Sequence, residues 1–144
     1  MSQLELFDKT LNETMRQLNI VLDKITEERA DLKLATKVAS PRETIHDLCE
    51  AVSAYRAISK GEEFDWGNFK LEDRSIQAMR CLYEEIREEC AEIARKKGDT
   101  DALSEALCYL SLHESQHIGN LMQFLTQTDP TWNSHCIYSK EATH

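Results

Sequence analysis

The stretch LSEALCYLSLHESQHIGNLMQF, residues 103–124, contains the pattern that decides the fold. Its leucines recur every three or four residues, which is the spacing of one face of an α-helix. His113 and His117 continue that series, so the two imidazoles are expected one helical turn apart, on the face where leucines belong. Either the protein buries them for a purpose, of which a metal ion is the leading example, or its core contains two polar groups.

Three other segments show the same apolar spacing, so the chain is predicted to be all-α. The predicted helices cover about residues 4–28, 41–60, 72–97 and 100–126. The second has the clearest start, because Ser40 is a good N-cap, Pro41 fits the first helical position and Glu43 completes a capping box. Four helices with one apolar stripe each predict a four-helix bundle in residues 1–128, followed by a loose C-terminal tail in residues 129–144.

Composition and charge exclude several classes of partner. The chain has 144 residues, four glycines, two prolines and a formal net charge of −9 at pH 7. The length fits one domain, and the scarcity of turn residues disfavours a β-rich fold. An acidic surface repels phosphate groups, so neither nucleic acid nor a membrane is expected as a partner. Five cysteines without a CxxC pair, and no apolar signal segment, predict a cytoplasmic protein with reduced thiols.

His113 and His117 are the predicted metal ligands, because imidazole nitrogens one helical turn apart can chelate one divalent ion. Two imidazoles rarely make a tight site, so further ligands are required. His46, Glu89 and Cys90 are the candidates on other helices. Each of them also has a structural interpretation, either as an exposed side chain or as one packed in the core.

Glu114 follows the first histidine directly and is the predicted catalytic residue. It can serve as a general base, as a metal ligand or as an acceptor that orients an imidazole. The HExxH spacing of zinc proteases is present, but that class also needs a third ligand and a substrate cleft, which the sequence does not indicate. The chain has no GxSxG elbow and no Gly-rich phosphate loop, so nucleophilic serine chemistry and nucleotide binding have no support.

Two segments resemble the DinB/YfiT-like superfamily of small four-helix bundles. Residues 113–121 (HESQHIGNL) are similar to that family's HxxxHxGQ-hydrophobic signature on its last helix, and residues 41–52 (PRETIHDLCEAV) are similar to the start of its second helix. The resemblance implies an up-down-down-up four-helix bundle, a homodimer, and a three-histidine site for nickel, zinc or a similar divalent ion. The family's third histidine corresponds to Ala51. Only the two histidines of the last helix therefore carry over, and the site uses a substitute carboxylate, is weaker, or is lost.

Two functions remain open at this point. Members of the family with a known activity look like thiol transferases or metal-dependent hydrolases. That implies an enzyme whose ion, held by His113 and His117, activates a water or a substrate thiol while Glu114 moves a proton. The alternative is a non-catalytic dimeric bundle, either small-ligand-binding or stress-associated, in which the histidines are structural. In that case the aromatic loop of residues 64–69 is expected to cover a pocket mouth or a partner surface.

Overall fold

The computed structural model describes residues 1–138 and shows a helical bundle, with no β-strand among those residues. The helices are α1 (Gln3–Leu22), α2 (Pro41–Ser59), α3 (Ile76–Lys97), α4 (Thr100–Leu107) and α5 (His113–Thr128). A π-helical turn, Cys108–Leu112, joins α4 and α5 end to end, so these two form one long fourth helix. The predicted all-α class is confirmed.

Capping side chains begin α2 and α4 where the sequence indicates. The hydroxyl of Ser40 accepts a hydrogen bond from the backbone N–H of Glu43, and the Glu43 carboxylate accepts one from the backbone N–H of Ser40. Gly98 ends α3 in the left-handed conformation with φ at 70°. Asp99 then caps α4 by accepting from the backbone N–H of Ala102. The caps at Ser40 and Asp99 fix where α2 and α4 begin and therefore the direction in which their side chains point.

Two helices are shorter than predicted. The first helix ends at Leu22, where the chain turns. In the segment after this turn, the carboxylate of Glu27 accepts a hydrogen bond from the backbone N–H of Ile76 at 2.6 Å. That N–H belongs to the first turn of α3 and has no partner within its own helix. The third begins at Ile76, because the Ser75 side chain caps it by accepting from Ala78.

The core lies between the four helical rods. α1 packs on α4 and α5, α2 packs on α3 and α5, and α3 packs on α4. None of the helices in the described part of the chain combines the length and the apolar character that crossing a bilayer requires. The largest apolar side chains that are almost completely enclosed are Phe7, Leu11, Leu18, Ile45, Leu48, Met79, Leu110, Leu121, Leu125 and Ile137.

The π-helical turn rotates α5 relative to the helix that the leucine spacing predicts. A π turn has i→i+5 hydrogen bonds and more than 3.6 residues per turn, so the residues after it are turned about the helix axis. The buried positions then run from Leu110 to Glu114 to Ile118. His113 and His117 lie at the edge of this face, with 24% and 15% of their side chains exposed. The expectation that both replace leucines in the core is therefore corrected.

The C-terminal segment packs against the bundle as far as residue 138. Ile137 is buried, and its carbonyl oxygen accepts a hydrogen bond from Arg16 Nη2 at 2.7 Å. Trp132 is partly buried against the core. Residues 131–138 are therefore not the loose tail that was predicted, because isolated apolar side chains anchor them without any helical spacing. The remainder of the predicted tail, residues 139–144, lies outside the described residues.

Leu110→Ala is expected to lower the free energy of unfolding by about 2–5 kcal/mol, because it leaves a cavity in the core. Leu110 is completely buried, whereas Leu112 is 60% exposed. Leu112→Ala is the matched control and should change the free energy by less than about 0.5 kcal/mol. Urea denaturation followed by circular dichroism measures both. Equal losses for the two variants would contradict the assignment of Leu110 to the core face of the fourth helix.

Candidate metal centre

One carboxylate and two imidazoles meet in the seam between α2 and α5. Asp47 Oδ2 lies 2.9 Å from His117 Nε2 and 3.4 Å from His113 Nε2. The two Nε2 atoms lie 3.0 Å apart, and the imidazole rings are nearly perpendicular, at 81°. These three side chains are called the Asp47 cluster. Within residues 1–138 they are the one group of three metal-ligating side chains whose ligand atoms all lie within 4.8 Å of one another.

Helix geometry positions each member of the Asp47 cluster. His113 and His117 are four residues apart on α5, so their rings lie one turn above the other on the same face. The capping box at Ser40 sets the register of α2 and so the direction of Asp47. Because α2 packs against α5, the carboxylate comes to lie opposite the two rings.

The distances within the cluster suit a small divalent ion. Zinc–nitrogen bonds are about 2.0–2.1 Å long, so a tetrahedral ion separates its ligand atoms by about 3.3 Å. The three distances in the cluster, 2.9, 3.0 and 3.4 Å, lie around that value. Two ring nitrogens at 3.0 Å repel each other unless a proton or a cation lies between them. The donor atoms therefore fit a cation in both chemistry and spacing.

The second nitrogen of His117 is enclosed by protein. Its Nδ1 is buried and has no hydrogen-bond partner among the described residues. Nε2 is therefore the nitrogen that His117 presents to other polar groups. A metal-bound histidine usually donates its other N–H to an acceptor that fixes the ring. Here packing and the contact with Asp47 hold the ring instead.

Asp47 supplies the negative charge of the cluster. Hydrogen bonding with His113, and then with His117, holds the pKa of its carboxyl well below the ordinary value, although partial burial acts in the opposite direction. Asp47 is therefore ionised at neutral pH and can act as an anionic ligand. About half of its side chain, 52%, is exposed, so one side of the cluster is open.

A pocket of about 440 Å³ opens beside the cluster. The loop of residues 64–69 contributes Trp66 to its wall. Most of the remaining wall comes from α2 and from the residues around the π-helical turn. The lining side chains are Asp47, Ala51, Trp66, Cys108, Tyr109, Leu112, His113 and Gln116.

Glu114 lies apart from the Asp47 cluster. Its side chain is completely buried and points toward α1 and α3. Arg87 donates to both of its carboxylate oxygens, from Nε and from Nη2. Thr14 donates to it at 2.8 Å, and the Tyr83 hydroxyl also donates to it. The structure therefore gives the predicted catalytic role of Glu114 no support, because its oxygens are committed to a buried ion pair.

The hydrogen bonds around this ion pair connect three helices. Arg87 Nη2 also donates to the carbonyl oxygen of Leu11 at 2.7 Å. The hydroxyl groups of Thr14 and Ser111 lie 3.0 Å apart, which links α1 to the π-helical turn. Burial, together with the nearby carboxylate, raises the pKa of Tyr83, so its hydroxyl keeps the proton that it donates. The network fixes the rotation of α5 about its axis.

The other candidate ligands lie elsewhere. The ring of His46 contacts that of Phe69, with centroids 5.3 Å apart. Glu89 forms an ion pair with Arg56 at 3.1 Å. Cys90 is buried, and burial raises the pKa of its thiol to about 11, so the reactive thiolate is disfavoured. None of the three belongs to the Asp47 cluster.

Asp47 is the candidate ligand that the sequence did not identify. It lies one helical turn before Ala51, and both residues line the same pocket. Ala51 is the position to which the resemblance assigns a third histidine. A substitute carboxylate was among the expected outcomes, and counting back one turn along the same face of α2 could have identified it.

A comparison of the chain with family models, curated proteins and solved structures found no significant match. The resemblance to the DinB/YfiT-like superfamily therefore stays a prediction.

Arg87→Met is expected to lower the free energy of unfolding by about 3–5 kcal/mol, because it leaves the Glu114 carboxylate buried without a counter-charge. Adding Glu114→Gln to that variant should recover part of the loss. Arg56→Met is the matched control, because it removes a partly exposed pair with Glu89 and should cost less than about 1 kcal/mol. Urea denaturation compares the variants. Similar losses for Arg87→Met and Arg56→Met would show that the buried pair does not hold the bundle together.

Proposed function

We propose that the protein binds one divalent metal ion, zinc or nickel, through Asp47, His113 and His117. We further propose that this ion activates a thiol or a water molecule for reaction with a small substrate. The observation that carries the proposal is the convergence of three ligand atoms within 4.8 Å of one another. Imidazole nitrogen and carboxylate oxygen are both usual zinc ligands, and imidazole also suits nickel.

The ligand set favours a reactive centre over a structural one. Structural zinc sites generally have four protein ligands, whereas catalytic sites have three and keep one position open. Two histidines and one carboxylate are the protein ligands of some zinc hydrolases. The pocket beside Asp47 and His113 offers space through which a further ligand can enter. A bound ion supplies Lewis-acid chemistry there, since zinc lowers the pKa of its water to about 7.

A second cavity supports transfer between two substrates. It has a volume of about 550 Å³, and Thr44 of α2 and Leu121 of α5 are among its lining residues. Thr44 precedes Asp47 by about one helical turn, and Leu121 follows His117 by about one turn. This second cavity therefore lies about one helical turn from the cluster along the α2–α5 seam, on the side away from Trp66. Room for a thiol on one side and for an acceptor on the other favours a thiol transferase over a hydrolase.

The directions of the helices support the family resemblance. In the contacts between α2 and α3, residues later in one helix meet residues later in the other, so the two helices run parallel. The same holds for α1 and the fourth helix. A tight turn at Gly98 makes α3 and α4 antiparallel. From these directions we infer the up-down-down-up order of the DinB/YfiT-like superfamily. The homodimer and the cytoplasmic location stay predictions. The hydrogen bonds that show these helix directions join Cys49 with Met79, Arg56 with Glu89, Gln3 with Thr100, and Thr14 with Ser111.

A non-catalytic bundle is the second candidate, because protons alone can also satisfy the cluster. His117 can donate its Nε2–H to Asp47 at 2.9 Å, which is an ordinary charge-assisted hydrogen bond. The histidines are then structural, and the pocket binds a small ligand without reaction.

Metal titration of the tag-free protein tests the proposal. Calorimetry with zinc chloride and with nickel chloride should show one equivalent per chain. The melting temperature should rise, because an ion that binds only the native state stabilises it by about 2.7 kcal/mol at a hundredfold excess over Kd. Alanine at Asp47, His113 or His117 should each weaken binding by at least about tenfold. His135→Ala removes an exposed histidine outside the cluster and should change nothing.

Wild-type protein that binds neither ion, or binding that survives all three substitutions, would contradict the metal centre.

A second assay separates the two candidates. The metal-loaded protein is tested for transfer of a dinitrophenyl group from chlorodinitrobenzene to mercaptoethanol, in which the thiolate sulfur forms the new bond and chloride leaves. Acceleration that Asp47→Ala abolishes supports the transferase. Metal binding without acceleration of this reaction or of ester hydrolysis supports the non-catalytic bundle.

A further inference from the structure

Three large apolar side chains are exposed beside the Asp47 cluster. Trp66 is 57% exposed, Tyr109 40% and Leu112 60%, and all three line the pocket that includes Asp47 and His113. Large apolar groups gathered around a few polar ones are typical of small-molecule sites. Their exposure is therefore explained best by a ligand that covers them.

The two aromatic walls of this pocket are fixed in place. The Tyr109 ring stacks on the buried Tyr55, with centroids 4.6 Å apart and planes within 5° of parallel. The Trp66 ring makes an edge contact with Phe64 at 5.1 Å. A surface that is already ordered loses little conformational entropy when a ligand binds.

The loop that presents Trp66 is also anchored to α2. The backbone N–H of Gly67 donates to Glu50 Oε2 at 3.3 Å. Gly67 has φ at 84°, a left-handed conformation that glycine adopts without strain. The turn after Trp66 therefore depends on this glycine, and the indole is held beside the cluster by an ordered loop.

The pocket is also selective in charge. Its described lining contains no lysine or arginine, and its one carboxylate is that of Asp47. An anionic ligand body would find no counter-charge there. The Gln116 amide and the Tyr109 hydroxyl are uncharged polar groups among the lining residues, so a neutral body is favoured.

We infer that this pocket binds the planar, neutral, apolar body of a small molecule against Trp66 and Tyr109, while an oxygen or sulfur atom of the same molecule coordinates the ion. The inference rests on the proposed metal centre. A volume of about 440 Å³ accommodates one or two aromatic rings. The substrate class is therefore an aromatic compound with a metal-binding group, and Trp66 is a specificity-determining residue.

Two hydroxamates that share one metal-binding group test this inference. Acetohydroxamate carries only a methyl group, whereas benzohydroxamate carries a phenyl ring. Calorimetry on the zinc-loaded full chain should show that benzohydroxamate binds about three- to tenfold more tightly, because of stacking on the aromatic wall. Trp66→Ala should abolish this preference and leave the affinity for acetohydroxamate and for zinc unchanged. Tyr138→Ala removes an exposed aromatic ring outside the pocket and should keep the preference.

Zinc content is measured after each titration to show that the hydroxamate has not removed the ion. Equal affinities for the two hydroxamates, or a preference that survives Trp66→Ala, would overturn the aromatic pocket and leave the metal centre intact. Zinc binding without binding of either hydroxamate would also overturn it, because the ion would then have no accessible face. Failure of zinc itself to bind would overturn the metal centre and this inference together.

Discussion

The ion pair between Arg87 and Glu114 is the constraint on which the rest of the site depends. A carboxylate with no exposure to solvent must face its counter-charge, and that counter-charge comes from α3. Glu114 therefore fixes which side of α5 faces the core. Because successive helical residues are turned by about 100°, His113 and His117 then emerge to one side of that direction, in the seam with α2. A predicted catalytic residue thus acts as the positioning element for its neighbours.

The seam gives the cluster both order and access. Each imidazole is mostly buried, so it is held by packing, whereas the carboxylate of Asp47 is about half exposed and leaves one side of the cluster open. Buried histidines in a closed core would make at most a structural site. The π-helical turn that precedes His113 contributes to this arrangement, and such turns occur frequently at functional sites. It places the histidines at the edge of the core and brings Tyr109 and Leu112 to the adjoining pocket.

The sequence predicted well what local chemistry decides. The capping box at Ser40 marked the start of α2, and the spacing of His113 and His117 put both rings on one face. Contacts between distant segments were harder to predict. No local signal marks a π-helical turn within an apolar run, so the predicted orientation of α5 about its axis was wrong. The sequence does not distinguish Asp47 from the other acidic residues of the chain, because only the packing of α2 against α5 brings it to the histidines. Glu114 was predicted to be catalytic because its partners lie on other helices, so the residues around it in the sequence do not reveal its buried ion pair.

Anomalous diffraction from crystals of the zinc-loaded protein tests the central claim most directly. Data collected on both sides of the zinc absorption edge locate the ion without reference to any assumed site. One peak per chain, within bonding distance of Nε2 of His113, Nε2 of His117 and the Asp47 carboxylate, is the predicted result. A map without such a peak, or with zinc bound only at another position such as His135, would contradict the account.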